Sequence, residues 1–427
     1  MKDPLHSARF GTGQPAEAAA MASPAVWPSL TEKFAKHKVV QGELKPRRDL
    51  PLFCNPLVIF LGNWTLMLIS LSFQITYVTY PHMGMPMLLF GISLGSFLFG
   101  YIVSRMLLHR WPTPTDAPSY TLDVTQLWQL NLLLCGAALM IIIFNWVLTG
   151  PPPAIGDPTS YLTYGRFKQV LFPLLVTVTV NAMLDPSRWR KALFMMFGMA
   201  WMTLYITRGL LMVALVQMFF VFSLKTRMSR RKLYTILVCF VAFAVLVITV
   251  IGNARTAQGV FFEYLQIRHK YADWPMAYLW LTSYISIPFS NLCWLFAKGN
   301  FHGPTLSFLY PLLPSFLTPS DPHAYIHEDL SIIDGASTYL VAYALDFSYL
   351  GIYLANLALG IACGWLRERA LPRGLLVAGI LLTCLSFIFF SDMFTPLSTI
   401  LQIALQAAIQ RKCFHWGAER VVGMVPE

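Results

Sequence analysis

The sequence predicts an all-α polytopic membrane protein of about ten transmembrane helices, and three observations carry that prediction. Of the 427 residues 56% are hydrophobic and 12% charged, about half the charge of an ordinary soluble protein. Apolar runs follow one another in series from Pro56 to Ile409, and crossing the hydrocarbon core takes roughly 20 such residues. The formal net charge of +11 sits in short basic clusters between those runs. That is how loops held on the cytoplasmic side look, and it argues against nucleic acid as a partner. A soluble domain with one anchor is excluded by the number of runs.

Residues 1–50, rich in Ala, Pro and charge, are expected to form a disordered cytoplasmic tail. The first two runs, Pro56–Tyr80 and Pro86–Leu108, join through a turn with Pro81 and Gly84. Lys45, Arg47 and Arg48 before them, and Arg105 and Arg110 after, put both flanks inside. The third run, Leu127–Leu148, ends at Pro151-Pro152-Pro153, which no helix continues through. The next loop, with Tyr161, Tyr164, Gly165 and Arg166, is therefore extracytoplasmic.

A fourth run, Phe167–Leu184, returns to Arg188, Arg190 and Lys191. The stretch from Ala192 to Leu224 could form one helix or two by periodicity, with Arg208 near its middle. Charge decides: a single crossing would leave Lys225, Arg227, Arg230, Arg231 and Lys232 outside, so two short spans turn at Thr207-Arg208-Gly209. The seventh span, Leu233–Ile251, closes the helices of 51–252.

A large outer loop, 253–337, follows. Within it Met276–Ala297 is read as re-entrant or interfacial, because a crossing would force Arg367, Arg369 and Arg373 outside. The shorter Leu306–Leu317 is broken by Pro304, Pro311, Pro314 and Pro319 and is placed at the interface. The last helices occupy 338–411: Thr338–Trp365, interrupted by Asp346, then a hairpin of Gly374–Phe390 and Leu397–Ile409 around Asp392 and Pro396. Residues 412–427 are a cytoplasmic tail.

The residues that could carry chemistry lie at the outer face. Arg166, Arg208, Arg255 and Arg268 all fall on or near it, and an arginine beside a membrane costs about 2.5–3.5 kcal/mol on insertion scales. Each either snorkels to lipid headgroups or converges on a phosphate, whose oxygens its planar fork fits. His323, His327, Glu328, Asp329 and Asp334 cluster late in the outer loop, and one of them could act as general base. The competing reading is that they solvate a loop. Asp346, inside an apolar run, needs a partner or a task.

The aromatic residues from Tyr264 to Trp294, Tyr284 among them, read as an interfacial belt with room for sugar stacking at one or two positions. The cysteines show neither metal-ligand spacing nor a disulfide pattern, and no nucleotide-phosphate loop, nucleophile elbow or paired Asp-x-Asp motif occurs. No metal and no cofactor is expected. A metal-dependent nucleotide-sugar transferase and a nucleotide-driven pump are both disfavoured.

Several of these stretches resemble the oligosaccharide repeat unit polymerases, the Wzy-type O-antigen and exopolysaccharide family. They are Ile206-Thr207-Arg208-Gly209, Gly252-Asn253-Ala254-Arg255 and Tyr284-Ile285-Ser286-Ile287-Pro288-Phe289-Ser290-Asn291-Leu292, with Leu313-Pro314, Thr338-Tyr339 and Tyr343-Ala344-Leu345-Asp346-Phe347 with Gly351. The resemblance covers about 160–366 and departs at Ser348, where glycine is expected straight after the Asp-Phe pair.

It implies a GT-C-like helical body with a large periplasmic loop in the bacterial inner membrane. Such an enzyme moves a glycan from undecaprenyl diphosphate to the next lipid-linked repeat unit, with a chain-length regulator as a possible partner and membrane lipids as surroundings. Arg208 and Arg255, with Arg166 and Arg268, would hold the diphosphate. His323, His327, Glu328 and Asp334 would be the catalytic candidates, and Tyr164, Tyr284, Asn291 and Asp346 supporting ones. The rival readings are an O-antigen ligase, which hands the same donor to lipid A core, and a lipid-linked oligosaccharide flippase.

Overall fold

The computed structural model describes residues 42–44, 51–109, 120–155, 167–226, 228–255, 266–299, 301, 303–313, 338–370 and 374–416, and they are mostly helical. Eleven α-helices occur among them: α1 Pro56–Ser72, α2 Gly84–His109, α3 Val124–Thr149, α4 Lys168–Ala182, α5 Arg188–Leu204, α6 Arg208–Lys225, α7 Arg230–Arg255, α8 Met276–Lys298, α9 Val341–Trp365, α10 Leu375–Ser386 and α11 Leu397–Cys413. Three of them, α2, α3 and α9, are long and apolar enough to cross a membrane, and α1, α4, α6 and α10 are shorter apolar helices. The chain is a helical membrane protein.

Local chemistry sets the helix limits. The Asn55 side chain accepts from the Leu57 amide and Pro56 fills the first position of α1, where a missing N–H costs nothing. Asp123 accepts from the amides of Thr125 and Gln126, each at 3.0 Å, to start α3. That helix stops at Gly150 with φ 88°, a backbone glycine adopts without penalty. The long run from Ala192 breaks at Tyr205–Thr207, between α5 and α6, with Arg208 the first residue of the second helix.

Contacts sort the helix ends into two groups. At a basic end, Lys225 Nζ donates to the carbonyls of Met183 and Leu184, Arg367 Nη1 to the Tyr101 hydroxyl at 2.9 Å, and Arg105 Nε meets Glu368 Oε1 at 2.9 Å. The Arg190 guanidinium lies 5.4 Å from the Trp128 ring at the same end. At an aromatic end, Ile267 bridges Thr76, Arg268 N donates to Ile75 O, Ala154 N to Leu204 O and Tyr339 N to Ile388 O. Helices such as α5 and α9 join the two groups, from Arg190 to Leu204 and from Tyr339 to Arg367.

Helix α8 differs from these. Tyr271 and Trp274, just before it, and Tyr278 at its start contact Phe73. Near its finish Ser290 Oγ accepts from Tyr80 N at 2.7 Å and Trp294 Nε1 donates to Val78 O at 3.0 Å. Both parts of the helix thus touch the one loop of 73–80. Its middle packs into the bundle, Phe289 meeting the Trp64 ring of α1 edge-on at 5.4 Å.

The tails differ from expectation. Gly42–Leu44 and Phe414–Trp416, read from the sequence as parts of disordered and cytoplasmic tails, pair antiparallel with Tyr120–Leu122 in a three-stranded sheet at the basic end. Asp123 N donates to Cys413 O at 2.8 Å beside it. Strands of three residues are too short to show the alternation that marks a strand in sequence.

Packing inside the bundle is close. Helices α2 and α9 form its most extensive pair, and at Gly360 an added Cβ would overlap the Phe97 carbonyl. Small residues let membrane helices approach to backbone contact in this way. Polar residues tie other helices together: Gln402 Nε2 donates to Gln217 Oε1 at 2.6 Å, and Gln217 Nε2 to Gln406 Oε1 at 2.9 Å, linking α6 to α11.

Candidate functional site

The aromatic end gathers the strained backbone. Among the described residues five non-glycine positions have left-handed φ, from 48° to 57°: Gln74, Ile206, Gln266, Leu306 and Ser348. All five lie at or next to this end, and so do Gly150, Gly299 and Gly303, the described glycines with positive φ. Such conformations cost about 1–3 kcal/mol each and collect where a protein works. The basic end has none among the described residues.

Arg208 opens α6 after a strained approach. Ile206, two residues earlier, has φ 53°, a conformation that β-branched residues seldom adopt. The N-cap Thr207 makes no side-chain bond to the helix, its hydroxyl donating instead to Met202 O at 3.1 Å. The first turn of α6 therefore has no side-chain cap and opens with a cation. A helix N-terminus favours anions. Arg255 is the last residue of α7, which brings its backbone to the same end.

Arg268 is held by the loop of 73–80. Its Nη2 donates to Gln74 Oε1 at 3.4 Å and its guanidinium lies 5.3 Å from the Tyr77 ring. The Nε is buried with no hydrogen-bond partner, while the residue as a whole is half-buried. Arg208, Arg255 and Arg268 thus belong to one end, brought there by three different segments. Tyr164, Arg166, His323, His327, Glu328 and Asp334 lie outside the described residues.

Of the supporting candidates, Tyr284 and Asn291 sit on α8. The Tyr284 ring stacks on Trp280 with centroids 5.6 Å apart and meets Phe390 edge-on at 5.4 Å. Asn291 is buried. Asp346 is 3% exposed, and its carboxylate accepts four hydrogen bonds. Thr305 gives Oδ1 its amide at 3.3 Å and its hydroxyl at 2.5 Å, and Oδ2 takes the Ser307 hydroxyl at 3.0 Å and the Phe308 amide at 3.3 Å.

Two residues on, α9 breaks at Ser348, with φ 54° and ψ −135°. Only glycine adopts that region without strain, so the glycine expected at 348 has a physical reason, and serine occupies its backbone conformation under strain. The break also explains Gly351, where an added Cβ would overlap the Tyr343 carbonyl oxygen.

A carboxylate the sequence reading passed over, Asp392, lies between α10 and α11 at this end. It accepts from Phe394 N at 2.8 Å, Thr395 N at 3.3 Å and the Thr395 hydroxyl at 2.6 Å. Burial pushes its pKa above the ordinary carboxylate range, against the opposing pull of those three donors. The signal available beforehand was a lone carboxylate, three residues before a threonine, in the turn between two apolar runs. Among the described residues no three His, Cys, Asp or Glu side chains gather as metal ligands.

The fold and this end define a helical membrane protein with one strained, arginine-bearing face. No family model, curated protein or solved structure matches the chain.

Proposed function

We propose that the chain is a metal-independent membrane glycosyltransferase that polymerises undecaprenyl diphosphate-linked oligosaccharide repeat units. It would have a GT-C-like body of ten spans in the bacterial inner membrane, with the aromatic end facing the periplasm. The observation that carries the reading is the start of α6: a helix terminus without a side-chain cap, opening with Arg208 after a left-handed Ile206. Anions are stabilised at such a terminus. Arg255 and Arg268 come to the same end on other segments, as a clustered diphosphate requires.

In this reading the arginines bind the donor and stabilise its diphosphate as leaving group. The lipid diphosphate bond is already activated, so no other energy source enters. The ten-span count rests on the succession of apolar runs in the sequence, and the orientation on the basic clusters between them.

The test is polymer formation in cells expressing the full chain. Arg208→Ala and Arg255→Ala are each expected to abolish polymer and let single-repeat lipid accumulate, with normal protein in the membrane. Wild-type chain lengths in both variants would dismiss the diphosphate role of these arginines. Product also separates the rivals: a ligase yields capped lipid A core without a repeat ladder.

A further inference from the structure

We infer that Asp346 is a positioning residue, a latch that fastens the segment 303–313 to the break in α9. The inference rests on the proposed polymerase reading for its consequence, though not for its geometry. The geometry is that of a tertiary cap. Both carboxylate oxygens are used, each by one amide and one hydroxyl, from residues 38 to 41 positions earlier in the chain.

Two of those donors, Ser307 and Phe308, open the 3-10 turn Ser307–Leu312, whose first amides have no partner within the turn itself. Asp346 supplies what the segment's own N-cap cannot, because Leu306 precedes the turn with φ 57° and no side chain able to accept. The Phe308 ring stacks on Tyr343 with centroids 5.0 Å apart, one turn before Asp346, and lies 6.2 Å from Phe347. The segment is therefore held by charge-assisted bonds and by rings at one point of α9.

The strain at Ser348 belongs to the same device. A continuous α9 would carry on in one line past Asp346; the break lets residues 341–347 take their own direction while α9 continues through Gly351. Strain of this kind persists only where surrounding contacts over-determine it, and the four bonds to Asp346 are such contacts. A carboxylate already accepting four donors is poorly placed to take a proton from a sugar hydroxyl. Its part is to hold the segment that leads into His323, His327, Glu328 and Asp334.

The test reads the segment directly, using the full chain purified in detergent and treated with chymotrypsin, which cuts after Phe308. Asp346→Ala is expected to speed cleavage in 303–313 by about tenfold or more, as the loss of several charge-assisted bonds implies. Asp346→Asn keeps an oxygen for Thr305 and gives up the acceptor for Ser307 and Phe308, so its cleavage rate should fall between. Polymer yield should rank the three proteins in the reverse order.

If Asp346→Ala does not accumulate, Thr305→Val with Ser307→Ala removes both hydroxyl donors from the other side and should also speed cleavage. Wild-type cleavage in whichever of these proteins is obtained overturns the latch. Arg208→Ala separates the two readings: it should lose polymer with cleavage unchanged. Faster cleavage in Asp346→Ala together with full polymer in Arg208→Ala would keep the latch and remove the diphosphate-binding role of Arg208.

Discussion

The two ends of the bundle are built by opposite rules. At the basic end the chain settles its terminal groups by ordinary means: the Lys225 ammonium meets the last carbonyls of the α4 segment, Arg367 meets Tyr101, and a small sheet pairs three segments. At the aromatic end it holds left-handed residues, a broken helix and a buried guanidinium nitrogen without a partner. Closing a bundle requires none of the second set. The difference teaches that stability was met at one end and forgone at the other, as expected where a site is assembled.

The largest expected effect breaks the aromatic end. Gly351→Ala puts a methyl group where the Tyr343 carbonyl lies and should cost about 3 kcal/mol, read as a large drop in the melting temperature of the detergent-purified chain. Gly136→Ala is its control, since an added Cβ in α3 meets nothing within 4 Å. It should gain about 0.5–1 kcal/mol from helix propensity.

A smaller change relieves strain. Ser348→Gly should raise stability by about 1 kcal/mol, and no gain in the melting temperature would mean that the break is not strained. An equal gain from a glycine placed in a helix at the basic end would dissolve the contrast between the ends.

The smallest effect is expected of Arg105→Ala, whose ion pair with Glu368 is exposed and is worth less than about 1 kcal/mol.

How far the sequence foretold this depends on the range of the cause. The break of the Ala192–Leu224 run was legible because basic residues on both flanks forbid a single crossing, and the structure breaks it within two residues of Arg208. The glycine-like demand at 348 was visible only through a resemblance; its cause is a break in α9 that no periodicity announces. The capture of Thr305 and Ser307 by Asp346 was not legible, because it depends on two segments about 40 residues apart meeting in space. Nor was the role of Asp392, whose surroundings come from the fold.

The central claim is that the aromatic end grips a diphosphate. Equilibrium binding of a short-chain polyprenyl diphosphate to the detergent-purified full chain tests it most directly. Arg208→Ala and Arg255→Ala should each weaken binding about tenfold or more, while Arg105→Ala, at the basic end, leaves it unchanged. Equal affinity in all three variants, or a loss confined to Arg105→Ala, would contradict the account.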